Sequence, residues 1–357
     1  MKKINSLQAL RTIAFLGVFL THCEITPNLG GWGVSVFFVL SGFLMSYGYI
    51  DKIDEMDVSL RGNASFAINK MKKLYPLHII MMIAALLITI AQMYMGIEEI
   101  SILQLFIQVF LQTTLLQTLV PISGKYFWPL NGLSWYLSVT MILYFFFPWI
   151  LRKIKKYSKK RLLILSATLY LVIFIIVAID EKVFSSNQEV MTYFNYVCPF
   201  LRLCDFTIGS CFGLLFIRKK NKIPEKTANI LELIFVILAI LSIRFHNIGH
   251  ATFIGNVIHH STFLYVPTSV GLVYLFAENK GFITKLLTKR LFIYIGNISP
   301  YAYLIHQKVI AYLIIVFTHL LRQPLNLYVR AVLAGSITLV AIYCYQWVTV
   351  KVRLKRS

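Results

Sequence analysis

The chain has 357 residues, 58% of them apolar and only 14% charged, with 35 Lys and Arg against 14 Asp and Glu for a formal net charge of +21. So apolar a composition excludes an ordinary water-soluble domain and a disordered chain. The basic residues stand in short runs between long apolar stretches rather than in one patch, so no nucleic-acid partner is expected.

Taken in chain order, apolar stretches fall at about 5–25, 31–50, 75–96, 100–120, 131–151, 161–179, 196–217, 228–245, 260–277, 293–320 and 326–350. Each approaches the ~20 residues that a helix needs to cross a hydrocarbon core. The Met1-Lys2-Lys3 start is like the first part of a signal peptide. No small-residue cleavage site follows and Arg11 interrupts the apolar run, so this reads as a retained first helix. Lys and Arg cluster between the stretches: five in 51–74, seven in 152–161, five in 218–226, four in 278–290 and four in 351–357. Loops rich in Lys and Arg stay cytoplasmic. If all eleven stretches crossed, 152–161 and the basic C-terminus would face outward. Dropping one crossing between 75 and 131 puts every cluster inside. The weakest stretch is 100–120, where Gln104, Gln108, Gln112 and Gln117 form a polar stripe on one helical face. The expected fold is an all-α integral membrane protein of about ten transmembrane helices plus one re-entrant or interfacial helix on the outer side. Both termini are then cytoplasmic, and 1–357 forms one transmembrane domain with no appended soluble domain and no internal repeat.

The first helix carries the most informative pair, Arg11 and His22. A step of eleven residues turns an α-helix by about 1100° and raises it by roughly 16 Å, so both lie on one face at different depths. An ionisable group inside a membrane is expensive and marks a functional site by default. The blander account is an Arg held by carbonyls and a His closing the helix. Glu24 lies about 200° round the helix from His22 and is poorly placed to orient it. The five cysteines, Cys23, Cys198, Cys204, Cys211 and Cys344, show no paired or metal-ligand spacing. The outer-loop histidines His246, His250, His259 and His260 lack Cys or carboxylate neighbours, so no metal is expected.

Six motifs stand in order along the chain. They are the Arg11–His22 spacing; Phe37-Phe38-Val39-Leu40-Ser41-Gly42-Phe43; Lys70-Met71-Lys72-Lys73-Leu74-Tyr75-Pro76; and Ser134-Trp135-Tyr136-Leu137-Ser138-Val139 with Tyr144 and Pro148 beyond. Pro199-Phe200-Leu201-Arg202-Leu203-Cys204-Asp205-Phe206-Thr207-Ile208-Gly209 and Ile298-Ser299-Pro300-Tyr301-Ala302-Tyr303-Leu304-Ile305-His306 follow. Each is weak alone; together they cover about 300 residues. On these residues the chain resembles the acyltransferase-3 family, bacterial multi-pass O-acyltransferases of envelope glycans. It departs from many relatives at Thr140 and Met141, where they carry acidic residues.

The resemblance implies an acyl-CoA-dependent O-acetyltransferase of the bacterial cytoplasmic (inner) membrane. Acetyl-CoA is the implied donor, without a metal, and a polysaccharide or lipid-linked glycan the acceptor; the oligomeric state stays open. It points to His22 as general base or transient acyl carrier, since His moves protons near neutral pH. Arg11 offers a donor fork suited to phosphate or carbonyl oxygens. Lys70 and Lys73, a step of three apart, share a face suited to the nucleotide end of CoA; positive-inside topology explains them equally well. Ser41 and Gly42 are placed beside the pantetheine arm, close helix packing being the alternative. Trp135, Ser138, Arg202, Asp205 and His306 are acceptor-side candidates, although Arg202 and Asp205 are one turn apart and form an ion pair most cheaply. Lys308 has no assigned role. A transporter or flippase of lipid-linked sugars, or a non-catalytic assembly partner, accommodates the same spans and buried charges.

Overall fold

The computed structural model describes residues 3–26, 28–96, 98–119, 124, 128, 130–245, 257 and 263–354, and every element among them is helical. In chain order these are α1 (Asn5–His22), α2 (Leu29–Tyr49), α3 (Leu60–Met71), α4 (Tyr75–Tyr94), α5 (Ile102–Thr114), α6 (Trp135–Ile154) and α7 (Lys159–Phe184). Then come α8 (Gln188–Thr192), α9 (Pro199–Ile217), α10 (Glu225–Phe245), α11 (Tyr265–Glu278), α12 (Phe282–Leu287), α13 (Arg290–Ile314) and α14 (Leu327–Leu354).

Eight of the helical segments are long and apolar enough to cross a membrane: α2, α4, α6, α7, α8–α9, α10, α13 and α14. Two of the ten expected crossings are not among them. The first helix, α1, has the polar Gln8, Arg11 and Thr12 in its length, and α11 has only 14 residues, preceded by residues outside the described set. The expected stretch 100–120 forms the 13-residue α5. At 1.5 Å per residue it is about 20 Å long, short of a ~30 Å hydrocarbon core. Its Gln108 and Gln112 are buried against the protein while Ile102, Leu103, Phe106 and Phe110 are exposed. Tyr75 Oη donates to Thr113 O and His78 Nε2 contacts Gln112 O, so α5 runs back along α4. It stops at Leu115, whose backbone is left-handed (φ 57°), and a 3-10 turn follows at Gln117–Leu119.

Contacts between loops collect the basic segments at one end of the bundle. Trp149 Nε1 donates to Val58 O, and Arg152 to the carbonyls of Ile53, Asp54 and Met56. Arg218 donates to Tyr157 O and Lys155 O, Lys219 pairs with Glu278, and Lys285 with Glu225. Glu232 receives the backbone N–H groups of Ile283 and Thr284 and so closes the start of α12. At this end Lys155 bonds to Asp54 and, with Arg152 and Lys156, holds that carboxyl below its usual range. Four of the five basic segments therefore lie together, as the charge pattern requires of one membrane side.

At the centre is α2, most of it buried, whereas α7 and α10 are mostly exposed. The latter show rows of exposed Leu and Ile, such as Leu163, Ile164, Leu171 and Ile175, a surface that suits lipid and not water. Small residues let the central helices approach closely. A Cβ on Gly42 of α2 would lie 1.9 Å from Phe206 O of α9, and one on Gly209 would lie 2.1 Å from Val39 O. On either side of α1, a Cβ on Gly33 would meet Ala14 O at 2.3 Å and one on Gly296 of α13 would meet Gln8 O at 2.0 Å. Backbone contact thus clamps α1 between α2 and α13, and so fixes the depth of its two ionisable side chains.

Candidate active site

The lower half of α1 is pinned by its own hydroxyls. Ser6 Oγ donates to Phe276 O at 2.5 Å, and Thr12 Oγ1 to Phe292 O at 2.5 Å. Between them Arg11 faces a cavity of about 240 Å³. Ser41 and Phe37 of α2, Lys70 of α3, Tyr136, Thr140 and Tyr144 of α6, and Ser299 and Tyr303 of α13 also line it. Arg11 Nη1 donates to Gln8 Oε1 at 3.2 Å, and among the described residues no carboxylate pairs with it. A structural ion pair for Arg11 is therefore not what these residues form. The guanidinium has donors to spare in a cavity with polar walls, the arrangement that recognises a ligand's oxygens. Ser41 Oγ and Tyr144 Oη, in the lining of the same cavity, are 3.2 Å apart.

Further along α1, His22 meets His306 of α13. His306 Nε2 lies 3.2 Å from His22 Nδ1, with ring centroids 5.0 Å apart. His22 Nδ1 is also 2.9 Å from Val18 O, and His306 Nδ1 is 2.9 Å from Ala302 O. His306 is fully buried, edged by Phe15, Phe19 and Tyr303, while His22 is half-buried. Between the Arg11 cavity and the histidine pair lie aromatic rings in tilted and edge-to-face contact. Tyr136 is 5.2 Å from Tyr303, which is 6.0 Å from His306, and Phe37 lies 6.1 Å from Tyr136.

The structure brings Arg11, Ser41 and Lys70 to one cavity and His22 and His306 to one contact. It does not bring the other expected residues to either. Lys70 Nζ lies 4.3 Å from the Tyr49 ring centroid, whereas Lys73 is exposed, its Nζ over the Tyr301 ring. Gly42 is spent on the α2–α9 crossing. Trp135 is buried among Phe38, Trp128 and Tyr196, and Ser138 Oγ bonds to Thr118 Oγ1 at 2.6 Å and Leu115 O at 2.7 Å, holding the turn after α5 onto α6. Arg202 and Asp205 form a buried ion pair at 2.7 Å, and Arg202 also donates to Tyr196 O and Asn195 O. Glu24 pairs with Arg330 and not with His22. Lys308 donates to Leu130 O and lies in the field of Glu98. His246, His250, His259 and His260 lie outside the described residues; among the described ones no group of His, Cys, Asp and Glu has the makings of a metal site.

Tyr136, Thr140, Tyr144, Ser299 and Tyr303 also line the cavity, and the motifs alone assign them no role. Their signal is a step of four: Tyr136, Thr140 and Tyr144 on one face of α6, Ser299 and Tyr303 on one face of α13.

A bundle of apolar helices around a half-buried arginine, a partly polar cavity and a histidine contact defines a polytopic membrane protein. The acyltransferase-3 model, described as an acyltransferase domain, matches residues 4–346, and the chain belongs to that family. It is thus a membrane acyltransferase in the general sense. Comparison with curated proteins and with solved structures found no match.

Proposed function

We propose that the protein transfers a small acyl group, acetyl in the first instance, from acyl-CoA to a sugar hydroxyl of an envelope or exported polysaccharide at the bacterial cytoplasmic membrane. The observation that carries this reading is Arg11: a guanidinium without a carboxylate partner among the described residues, facing a cavity with polar walls, on the helix that ends in His22. Pockets for whole drug-sized ligands run to about 300–1,000 Å³. A cavity of about 240 Å³ suits the pantetheine arm alone. The nucleotide then stays outside, near Lys70 at the end where the basic segments gather and where a cytoplasmic donor arrives. Arg11 and the Ser41–Tyr144 pair offer hydrogen bonds to the arm's amides and phosphate oxygens.

His22 lies about 16 Å further along α1 than Arg11. The arm reaches it by displacing the rings of Tyr136 and Tyr303. In the transfer, the acceptor hydroxyl oxygen bonds to the thioester carbonyl carbon and the C–S bond breaks. The hydroxyl proton goes to His22 Nε2 and from there to the departing CoA sulfur, so CoA leaves as the free thiol. The same nitrogen serves if the acyl group rests on His22 first. The polysaccharide enters from the side away from the basic loops.

The test is turnover by the purified full-length protein in lipid with acetyl-CoA and a candidate polysaccharide. The reading expects free CoA thiol to appear in step with ester on the glycan. Movement of a lipid-linked sugar across the bilayer without thiol release would replace it with transport.

A further inference from the structure

We infer that His306 is a positioning residue for His22: its Nε2 lone pair holds the His22 Nδ1–H and so leaves the His22 Nε2 lone pair for the acceptor's proton. The inference deepens the proposed acyl transfer and rests on that reading for its catalytic part.

The tautomers follow from the two backbone carbonyls. A carbonyl oxygen only accepts. His306 Nδ1 is 2.9 Å from Ala302 O, so it carries hydrogen, and in the neutral ring Nε2 is then a bare lone pair. That lone pair points at His22 Nδ1, 3.2 Å away. His22 Nδ1 is itself 2.9 Å from Val18 O, so it too carries the hydrogen and shares it between carbonyl and imidazole. The reverse assignment would set a lone pair against a carbonyl oxygen at both rings. Two one-turn side-chain-to-backbone contacts, on α1 and α13, thus select a single directional pair: His22 donates and His306 accepts.

Among the described residues no carboxylate takes this place. The nearest in sequence, Glu24, is committed to Arg330 at 2.8 Å. Base and orienter pairs commonly use a carboxylate to hold the imidazole and to steady the imidazolium that forms. Here a second, neutral imidazole does both. His306 is well suited to it because the rings of Phe15, Phe19 and Tyr303 surround it, excluding water that would compete for its Nε2. When the hydroxyl proton arrives at His22 Nε2, positive charge spreads to Nδ1–H, and the hydrogen bond to His306 becomes charge-assisted and stronger. His306 gains and loses no proton in the cycle.

Two measurements on the full-length protein test this. In protein carrying ¹⁵N-histidine in lipid, with His22 signals assigned by their loss in His22→Ala, the wild type should show His22 protonated on Nδ1. A ¹⁵N–¹⁵N coupling should run through the hydrogen bond to His306 Nε2. Proton on His22 Nε2, or no coupling, would overturn the inference whatever the enzyme's activity, and so separately from the acyl-transfer reading. In kinetics, His306→Phe keeps the ring packing and removes the acceptor. It should lower kcat about 10- to 100-fold, the worth of one hydrogen bond to a charged group, with the KM for acetyl-CoA within about twofold. His306→Gln places an amide oxygen near the Nε2 position and should restore most of kcat. Wild-type kcat in His306→Phe, or His306→Gln as slow as His306→Phe, would contradict a positioning role.

Discussion

Replacing Arg202 by Met separates the two roles open to the Arg202–Asp205 pair. The side chains are 0% and 1% exposed and meet at 2.7 Å. Arg202 Nε also donates to Tyr196 O at 2.8 Å and Nη2 to Asn195 O at 3.0 Å, just before the start of α9. Arg202→Met leaves a buried carboxylate without its cation and two carbonyls without these donors. Breaking a buried pair from one side costs about 3–5 kcal/mol, and the carbonyls place the loss at the upper end of that range. Replacing both charges, as in Arg202→Met with Asp205→Leu, removes the orphaned carboxylate. The double variant should recover about 2 kcal/mol or more relative to Arg202→Met, keeping a residual loss from the two carbonyls. Denaturant titration in mixed micelles measures all four corners of the cycle. Wild-type stability in Arg202→Met together with lost acyl transfer would refute the reasoning and return Arg202 to the acceptor site.

Gly42→Ala should destabilise the protein by about 1–3 kcal/mol without weakening CoA binding, because the new Cβ meets the Phe206 backbone and not the cavity; a melting point equal to wild type would show that the α2–α9 crossing has room. Lys70→Ala should weaken CoA binding by about 1–2 kcal/mol, more at low salt than at high, and Lys73→Ala by much less, since only Lys70 reaches the cavity; equal effects in calorimetric titrations would mean that both act through bulk charge. Asp54 is held below its ordinary 3.8 by Lys155, so its contribution to stability is complete above that pH and is lost as pH falls below it. The gap in thermal stability between wild type and Asp54→Asn should therefore be largest near pH 7 and close toward pH 3, and a gap that widened in acid would reverse the assignment.

What the sequence discloses and what it hides follow from range. Apolar runs, basic clusters and the glutamine stripe are local features, and they set the 100–120 stretch apart from the crossing helices; that only 13 of its residues form α5 shows in the structure alone. The Arg202–Asp205 pair was legible for the same reason, being one turn apart. The contact between His22 and His306 joins positions 284 apart, and no periodicity tells which helix faces which. Residue choice on α6 shows the limit more finely. Trp135 and Ser138 lie on a face packed against neighbouring rings and the turn after α5, while Tyr136 and Thr140, about 150° round, face the cavity. A motif names the helix; its facing is set by the glycine contacts at Gly33, Gly42 and Gly296, which depend on partner helices far along the chain.

The most direct measurement of the account is acyl transfer by purified His22→Ala, alongside CoA binding to the same sample. Loss of a general base removes an interaction made in the transition state and costs about 10²–10⁴-fold in rate. The account predicts ester formation on the glycan reduced by at least that lower factor, with CoA affinity unchanged because Arg11 and Lys70 still line the cavity. A folded His22→Ala protein that acylates the glycan at near wild-type rate would contradict it.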